Sequence, residues 1–161
     1  MNIIPAPFEA HLSVDPAWLD LNGHMNVAFY MTAFDRGSDP FFDDCGLGWQ
    51  YTQAGAGTIF VTGANMDYHH ELLAGDPLRV TTQLLDYSPK LIHLQLCLYQ
   101  TALGVLAATQ EILFMHISFA TRRSAPMPAM AQQRLAEILG AHQALVPAAG
   151  LGRTLAIARR G

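Results

Sequence analysis

The chain has 161 residues, of which 51% are hydrophobic and 14% charged, and its formal net charge at pH 7 is −4. This length predicts one domain, 1–161, with a core of its own. The negative charge and scattered Lys and Arg argue against a nucleic-acid binder. The apolar composition predicts that a partner subunit covers part of the surface.

No targeting or membrane segment is predicted. The N-terminus lacks a basic region followed by an apolar one, so we expect no secretory signal. The longest apolar stretch, 102–119, contains Gln110, Glu111 and His116 and does not resemble a membrane span. Two cysteines form no disulfide framework, which favours a reducing, cytoplasmic setting.

The first predicted elements are a strand at 8–14, a polar segment and a helix from about 26. The helix is predicted because its apolar residues recur with the helical period, at Val27, Tyr30, Met31 and Phe34. Gly37 and Pro40 are expected to break or kink it near 37–40, since proline costs roughly 3 kcal/mol inside a helix. A short second helix is predicted at 47–54.

From residue 58 the pattern changes to period two. It predicts a meander of four antiparallel strands at 58–70, 78–87, 91–100 and 105–119, with a possible bulge at Gly63. The strand at 91–100 alternates most clearly, with Ile92, Leu94, Leu96 and Leu98 on one face. A linker, an amphipathic helix at 129–144 and a small, apolar, finally basic tail at 145–161 follow. This order predicts an α+β fold.

The run DLNGHMN, followed by an apolar helix and the pair FD, resembles the hotdog-fold acyl-CoA thioesterases of the 4-hydroxybenzoyl-CoA thioesterase type. The family pattern D-x-x-G-H-x-N falls on Asp20, Gly23, His24 and Asn26. A second pattern, Y-x-x-E-x-x-x-G-D, falls on Tyr68, Glu71, Gly75 and Asp76, and an arginine pair precedes the prolines after the last strand. The resemblance covers about 8–140. It implies one hotdog domain, with an antiparallel sheet of about five to six strands wrapped around a long central helix, plus a C-terminal helix.

Two features depart from the family pattern. Pro40 falls where the family's helix is usually continuous, and the tail past 145 has no counterpart in the pattern.

The polar segment before the helix is the candidate catalytic site. Thioester hydrolysis needs a nucleophile or base and hydrogen-bond donors aimed at the oxyanion. A helix N-terminus has unpaired N–H groups at the positive end of its dipole. We therefore predict Asp20 as nucleophile or general base, with backbone N–H groups near Asn26 and Val27 polarising the carbonyl. The resemblance implies the same role for Asp20, although such residues are also ordinary turn and capping residues.

The predicted substrate-binding residues serve three purposes. Gly23 allows close backbone approach or a positive φ, and His24 orients the loop or lines the site. Coenzyme A carries phosphates, which require basic side chains. Three cations near strand ends are predicted to bind these phosphates: Lys90, Arg122 and Arg123. Tyr68 is predicted as an aromatic residue of the substrate site.

Other chemistry-bearing residues are given lesser roles. Asp35 and Asp39 are reserve carboxylates, because related hotdog enzymes carry a catalytic carboxylate on the helix, but solvated or capping acids are the favoured interpretation. Glu71 is assigned to a strand-to-turn hydrogen bond. His69 and His70, adjacent on a predicted strand, point to opposite faces, so they form no compact metal site. We predict no metal and no cofactor apart from the CoA of the substrate.

The acyl group is the least constrained feature. Trp18, Trp49, Tyr51 and Tyr68 are core candidates that could also hold an aromatic acyl group or a quaternary ammonium. The run LDLNGHMNVAFYMTAFD is most similar to thioesterases of carnitine and betaine catabolism, which implies a betainyl-type substrate.

Two other function classes remain open: a non-catalytic acyl-CoA-binding hotdog protein, and a hotdog hydratase or dehydratase, which would pair a His with a carboxylate elsewhere. An open sheet edge invites pairing. The resemblance accordingly implies a homodimer or homotetramer with active sites at the subunit boundary.

Overall fold

The computed structural model describes residues 6–153 and 155. Within them lie three α-helices, a short 3-10 helix and six strands. In chain order these are β1 (Phe8–Ser13), the 3-10 helix (Pro16–Trp18), α1 (Val27–Asp44), α2 (Trp49–Gln53), β2 (Gly57–Tyr68), β3 (Pro77–Tyr87), β4 (Leu91–Gln100), β5 (Val105–Ser118), β6 (Arg123–Ser124) and α3 (Ala129–His142). None of the helices described is long and apolar enough to cross a membrane.

The strands form one antiparallel sheet in the order β1-β3-β4-β5-β2, with β6 paired to the end of β5. The predicted α+β architecture is confirmed, and the predicted bulge lies between Val61 and Gly63. The predicted four-strand meander is wrong. Only β3, β4 and β5 form a meander, because β2 pairs with β5 and brings Tyr68 opposite Ala108.

The segment 69–76 explains why β2 and β3 are not neighbours. It crosses the end of the sheet, where the His69 N–H donates to the Ala107 carbonyl at 2.8 Å. Farther along, the Gly75 N–H donates to the Val14 carbonyl at 2.9 Å. Alternating hydrophobicity identifies a strand but carries no information about its neighbour, so the sequence pattern could not show this crossing.

Helix α1 passes through Pro40 without ending, so of the break or kink predicted near 37–40 the break is wrong. Proline removes one backbone hydrogen bond and costs roughly 3 kcal/mol in a helix interior. Phe41 and Phe42 are both buried directly after it, and full burial of each side chain is worth about 1.5–3 kcal/mol. Together these burials are worth about 3–6 kcal/mol, enough to offset the proline cost, and the helix continues to Asp44.

The hydrophobic core lies between α1 and the sheet. The predicted inward face of β4 is confirmed, since Ile92, Leu94, Leu96 and Leu98 are all buried. On the opposite face, the Gln95 side chain donates to the Ala148 carbonyl at 2.9 Å and accepts from its N–H at 2.7 Å. The first part of the tail, up to residue 153, therefore packs on the sheet. The basic end of the predicted tail lies outside the described residues.

His142, at the end of α3, joins three parts of the chain. Its Nδ1 accepts a hydrogen bond from the Leu84 N–H at 2.9 Å, and its Nε2–H donates to the Ala6 carbonyl at 3.0 Å. The bond from Leu84 requires the neutral ring, because a protonated Nδ1 has no lone pair to accept with. Burial lowers the pKa of His142 below its ordinary value of 6.5, against the opposing effect of the Ala6 hydrogen bond.

We therefore expect acid to destabilise the fold through His142. The unfolded chain takes up a proton as the pH falls through about 6.5, and the folded chain only at lower pH. The contribution of His142 to stability is thus complete above that pH and is lost below it. We expect urea unfolding at a series of pH values to show that the free energy of unfolding falls less steeply between about pH 7 and pH 5 for His142→Gln than for wild type. The exposed His11→Gln is the control, and equal slopes in all three proteins would contradict the assignment.

Candidate active site

A tight loop at 20–24 holds the predicted catalytic carboxylate. The Gly23 N–H donates to the Asp20 carbonyl and the Asp20 N–H to the His24 carbonyl, each at 3.0 Å. Gly23 has φ +78°, in the left-handed region that closes a three-residue hairpin loop and favours glycine. The Asp20 Oδ1 atom accepts from the Asn22 N–H at 2.8 Å. The loop therefore fixes the Asp20 side chain from within.

His24 lies between two carboxylates. Its Nε2 is 3.6 Å from Asp20 Oδ2, and its Nδ1 is 3.3 Å from Glu71 Oε2. Each ring nitrogen thus faces a carboxylate oxygen. Among the described residues the Glu71 side chain contacts His24 and does not form the strand-to-turn hydrogen bond predicted for it. The carboxylates differ in exposure, with the side chain of Asp20 23% exposed and that of Glu71 64%.

The N-terminus of α1 opens beside this group. Asn26 is the N-cap, and its side chain accepts from the Ala28 N–H at 2.9 Å. The Asn26 N–H donates to the Trp18 carbonyl at 2.9 Å, so it is not free to polarise a substrate, and that part of the prediction does not fit. The Val27 N–H has no acceptor among the described residues. Of the two predicted donors, only the Val27 N–H therefore has no acceptor in the described part of the chain.

A cleft of about 460 Å³ joins these parts. Its lining residues are Asp20, His24, Met25, Val27, Tyr30, Tyr68, His69, His70 and Glu71. Four of the predicted site residues thus meet in one place: Asp20, His24, Val27 and Tyr68. The Tyr30 hydroxyl donates to the His70 carbonyl at 3.4 Å. Burial raises the pKa of Tyr30, with smaller contributions from Tyr68 and Glu71.

Met25 and Tyr30 also line the cleft and are not in the predicted set. Tyr30 could have been found, because it lies one helical turn after Val27 and therefore on the same face of α1. The predicted strand at 58–70 includes His69 and His70, but β2 ends at Tyr68, and both residues line the cleft. His69 also bonds Thr109 Oγ1 through Nε2 at 3.2 Å. The described residues contain no group of three or more His, Cys, Asp or Glu that could hold a metal ion.

The predicted phosphate-binding cations lie at the other end of the sheet. Leu91, next to Lys90, pairs with Met115 of β5, whereas Tyr68 pairs with Ala108. Seven residues along β5 correspond to roughly 23 Å. Lys90, Arg122 and Arg123 therefore cluster as predicted near strand ends, but far from the Asp20 cleft of the same chain.

Arg122 is held against the beginning of β2. Its φ is +56°, an uncommon left-handed value for a residue with a side chain. Its guanidinium lies 6.0 Å from the ring centre of Phe60 and 5.9 Å from that of Phe119. The positive charge is thus fixed at the edge of the sheet.

The reserve carboxylates belong to a different cavity. Asp35 and Asp39 line a space of about 180 Å³ with Trp49 and Val61. Asp35 follows Val27 by eight residues, which is about 12 Å along a helix. The pKa of Asp39 is raised by burial first and then by Asp35 and Asp43.

Two of the other predicted aromatics have partners outside the Asp20 cleft. Trp18 is buried and stacks on Phe29 with ring centres 5.6 Å apart. The Tyr51 hydroxyl bonds His116 Nε2 at 2.8 Å. Both side chains therefore have structural partners in the fold.

Comparisons with known proteins agree with this fold. The profile of the thioesterase-like superfamily matches residues 14–135. The chain is 32% identical to the betainyl-CoA thioesterase of Pseudomonas aeruginosa, over 88% of this chain and 89% of that protein. It is 31% identical to an L-carnitine dehydrogenase/betainyl-CoA thioesterase of Rhizobium meliloti, over 87% of this chain but only 28% of that protein.

A solved structure extends the likeness to the tail. A Staphylococcus aureus protein in complex with CoA superposes with a TM-score of 0.88 and 30% identity, covering 97% of this chain and 98% of that one. The part of this chain that superposes includes much of the segment past 145. That segment, predicted to have no counterpart in the family pattern, therefore has one in this solved structure. The chain belongs to the thioesterase-like superfamily, has the hotdog fold, and is an acyl-CoA thioesterase by class.

Proposed function

We propose that the protein hydrolyses an acyl-CoA thioester to a free acid and CoA at the Asp20 cleft. The observation that carries the proposal is one local geometry: a fixed carboxylate lines the same cleft as Val27, whose N–H has no acceptor among the described residues. The thioester carbonyl oxygen would accept from that N–H. Negative charge would then develop at the positive end of the α1 dipole, where it is stabilised.

Two routes from this geometry give the same products. As a general base, Asp20 takes a proton from a water molecule while the water oxygen attacks the carbonyl carbon. As a nucleophile, Asp20 attacks directly and forms an anhydride, which water then opens. In both routes the carbon–sulfur bond breaks and the CoA thiolate takes up a proton. His24, 3.6 Å from Asp20 Oδ2, is the nearby group that can supply one.

Release of CoA thiol from a panel of acyl-CoA esters, followed with a thiol reagent, is the direct test. Thiol release from at least one ester supports the proposal. Binding of CoA esters without release would instead support the non-catalytic binder. A betainyl ester belongs in the panel because two similar proteins carry betainyl-CoA thioesterase in their names. We propose betainyl-CoA as the substrate. The cytoplasm remains the predicted location of the protein.

We further propose a homodimer in which each site is completed by the partner. β2 is an edge strand, and Phe60 and Val61 on it are 46% and 48% exposed, a surface that invites pairing. Antiparallel pairing of two β2 strands about a two-fold axis near their middle sets Gly57 of one copy beside Tyr68 of the other. Lys90, Arg122 and Arg123 of one copy would then reach the Asp20 cleft of the other copy.

We therefore expect Arg122→Gln with Arg123→Gln to raise KM for acyl-CoA about tenfold or more and to leave kcat nearly unchanged. The reason is that these charges would contact the CoA phosphates, which do not change during the reaction. Steady-state kinetics on the purified variant gives both constants. Arg79→Gln, on β3 and paired with Glu9, is the control. A loss confined to kcat would contradict this role.

Mixed dimers test whether the two halves of a site come from different chains. Asp20→Asn copies retain the arginines, and the double arginine variant retains Asp20. If sites are shared, a mixed dimer contains one fully intact site, and co-expression restores activity at low substrate concentration. If each site lies within one chain, no intact site forms and activity is not restored.

A further inference from the structure

The Asp20 cleft contains an aromatic corner that the hydrolysis itself does not use. The rings of Tyr30 and Tyr68 stand at 85° to each other with centres 5.0 Å apart. Tyr30 is only 5% exposed, whereas Tyr68 is 50% exposed. One wall of the corner is thus fixed in the core, and the other faces the open cleft.

The charge around this corner is negative. The nine lining residues include the carboxylates of Asp20 and Glu71 and, in this part of the described structure, neither Lys nor Arg. The salt-bridge partner found for Glu71 is His24. Glu71 also lies close enough to Tyr30 to raise the pKa of its hydroxyl, after the larger effect of burial. Glu71 therefore lines the same cleft as the two tyrosine rings and lies near the Tyr30 hydroxyl.

This combination selects one class of ligand. Aromatic faces attract cations within about 6 Å of the ring centre, and quaternary ammonium groups are bound by such surfaces. An ammonium that donates hydrogen bonds would need further acceptors, whereas a quaternary one needs only aromatic faces and a nearby negative charge. A neutral acyl group would gain nothing from Glu71.

We propose that Tyr30, Tyr68 and Glu71 form a subsite for a small quaternary ammonium group on the acyl chain. The inference rests on the proposed thioesterase function, since the subsite lines the same cleft as Asp20 and the Val27 N–H. Those reacting groups and the corner line one cleft, so an acyl-CoA whose carbonyl faces Val27 would bring a cation on its acyl group to the corner.

A matched pair of substrates isolates the charge. Betainyl-CoA and tert-butylacetyl-CoA have nearly the same shape, but only the first carries a positive charge. We expect wild type to show a kcat/KM for betainyl-CoA at least about tenfold above that for the neutral ester. Both esters react at the same groups, so the change in their ratio from wild type to a variant cancels any effect on Asp20 or His24, and it also cancels the greater intrinsic reactivity that the ammonium gives betainyl-CoA.

The variants assign the preference to residues. Tyr68→Leu and Glu71→Gln should each lower the ratio about threefold to tenfold, while Tyr68→Phe, which keeps the aromatic face, should preserve it. Glu9→Gln on β1 removes a distant carboxylate and should leave the ratio unchanged. Tetramethylammonium should compete with betainyl-CoA in wild type and lose this effect in Tyr68→Leu.

Three outcomes would overturn the subsite. A wild-type ratio near one, with both esters hydrolysed, would refute it and leave the thioesterase function standing. A ratio that falls in Asp39→Asn or Trp49→Leu but not in Tyr68→Leu would locate the cation in the other cavity. Absence of thiol release from both esters would contradict the thioesterase proposal itself and the subsite with it.

Discussion

Replacing Asp20 by Asn should lower kcat for acyl-CoA hydrolysis about 1,000-fold, within the range that general acid–base groups contribute. Asn has the same shape and retains an oxygen that can accept from the Asn22 N–H, so the loop at 20–24 should persist. What is lost is the negative charge needed to attack the carbonyl or to take a proton from water. Thiol-release kinetics on the purified variant measures the effect.

Asp15→Asn is the matched control for this variant. Asp15 is another loop aspartate, and its Oδ1 accepts from the Ala17 N–H at 2.8 Å at the start of the 3-10 helix. Asn preserves that cap as well, so both variants should have wild-type melting temperatures. Wild-type turnover in Asp20→Asn would refute the assignment and direct attention to Asp35 and Asp39 on α1.

The sequence was most informative where the contacts are local. Asp20, Gly23 and His24 form one hairpin loop, so turn chemistry alone brings their side chains together. The N-cap at Asn26 follows from the same few residues. The free N–H could not be assigned in advance, because the Asn26 N–H is occupied by the carbonyl of Trp18, eight residues earlier.

Residues from distant segments could not be grouped in this way. Glu71 and His70 reach the cleft because β2 pairs with β5 and the segment 69–76 then crosses the sheet end. Alternation predicts strands without their order. For the same reason, the sequence could predict that Lys90 and Arg122 lie near strand ends. It could not predict that those strand ends and the Asp20 cleft of the same chain lie at opposite ends of the sheet.

Glycine in a helix is another feature whose meaning depends on packing. Sequence rules treat Gly37 as a helix breaker, but it is a buried residue in the interior of α1. A methyl group at this position would lie 2.5 Å from Val80 Cβ and 2.8 Å from Val80 Cγ2. Gly37 is therefore the point at which the backbone of the central helix approaches β3 closely.

We therefore expect Gly37→Ala to destabilise the protein by about 3 kcal/mol, the upper part of the range for overpacked cores. This is the reverse of the usual effect, since alanine is the better helix former by about 1 kcal/mol. Gly140→Ala is the matched control: it is also helical, but its added methyl group meets nothing within 4 Å. That variant should be stabilised by up to about 1 kcal/mol.

Urea unfolding of both variants measures the difference, with opposite signs expected for the same substitution in two helices. The Gly37→Ala variant should also lose activity, because a shift of α1 away from β3 moves the Val27 N–H relative to Asp20, and small misplacements in a site are costly. Shortening Val80 in the same protein should restore part of the lost stability, since it removes the atoms that the new methyl group contacts. Equal stabilisation by both alanines would show that α1 does not depend on this close approach.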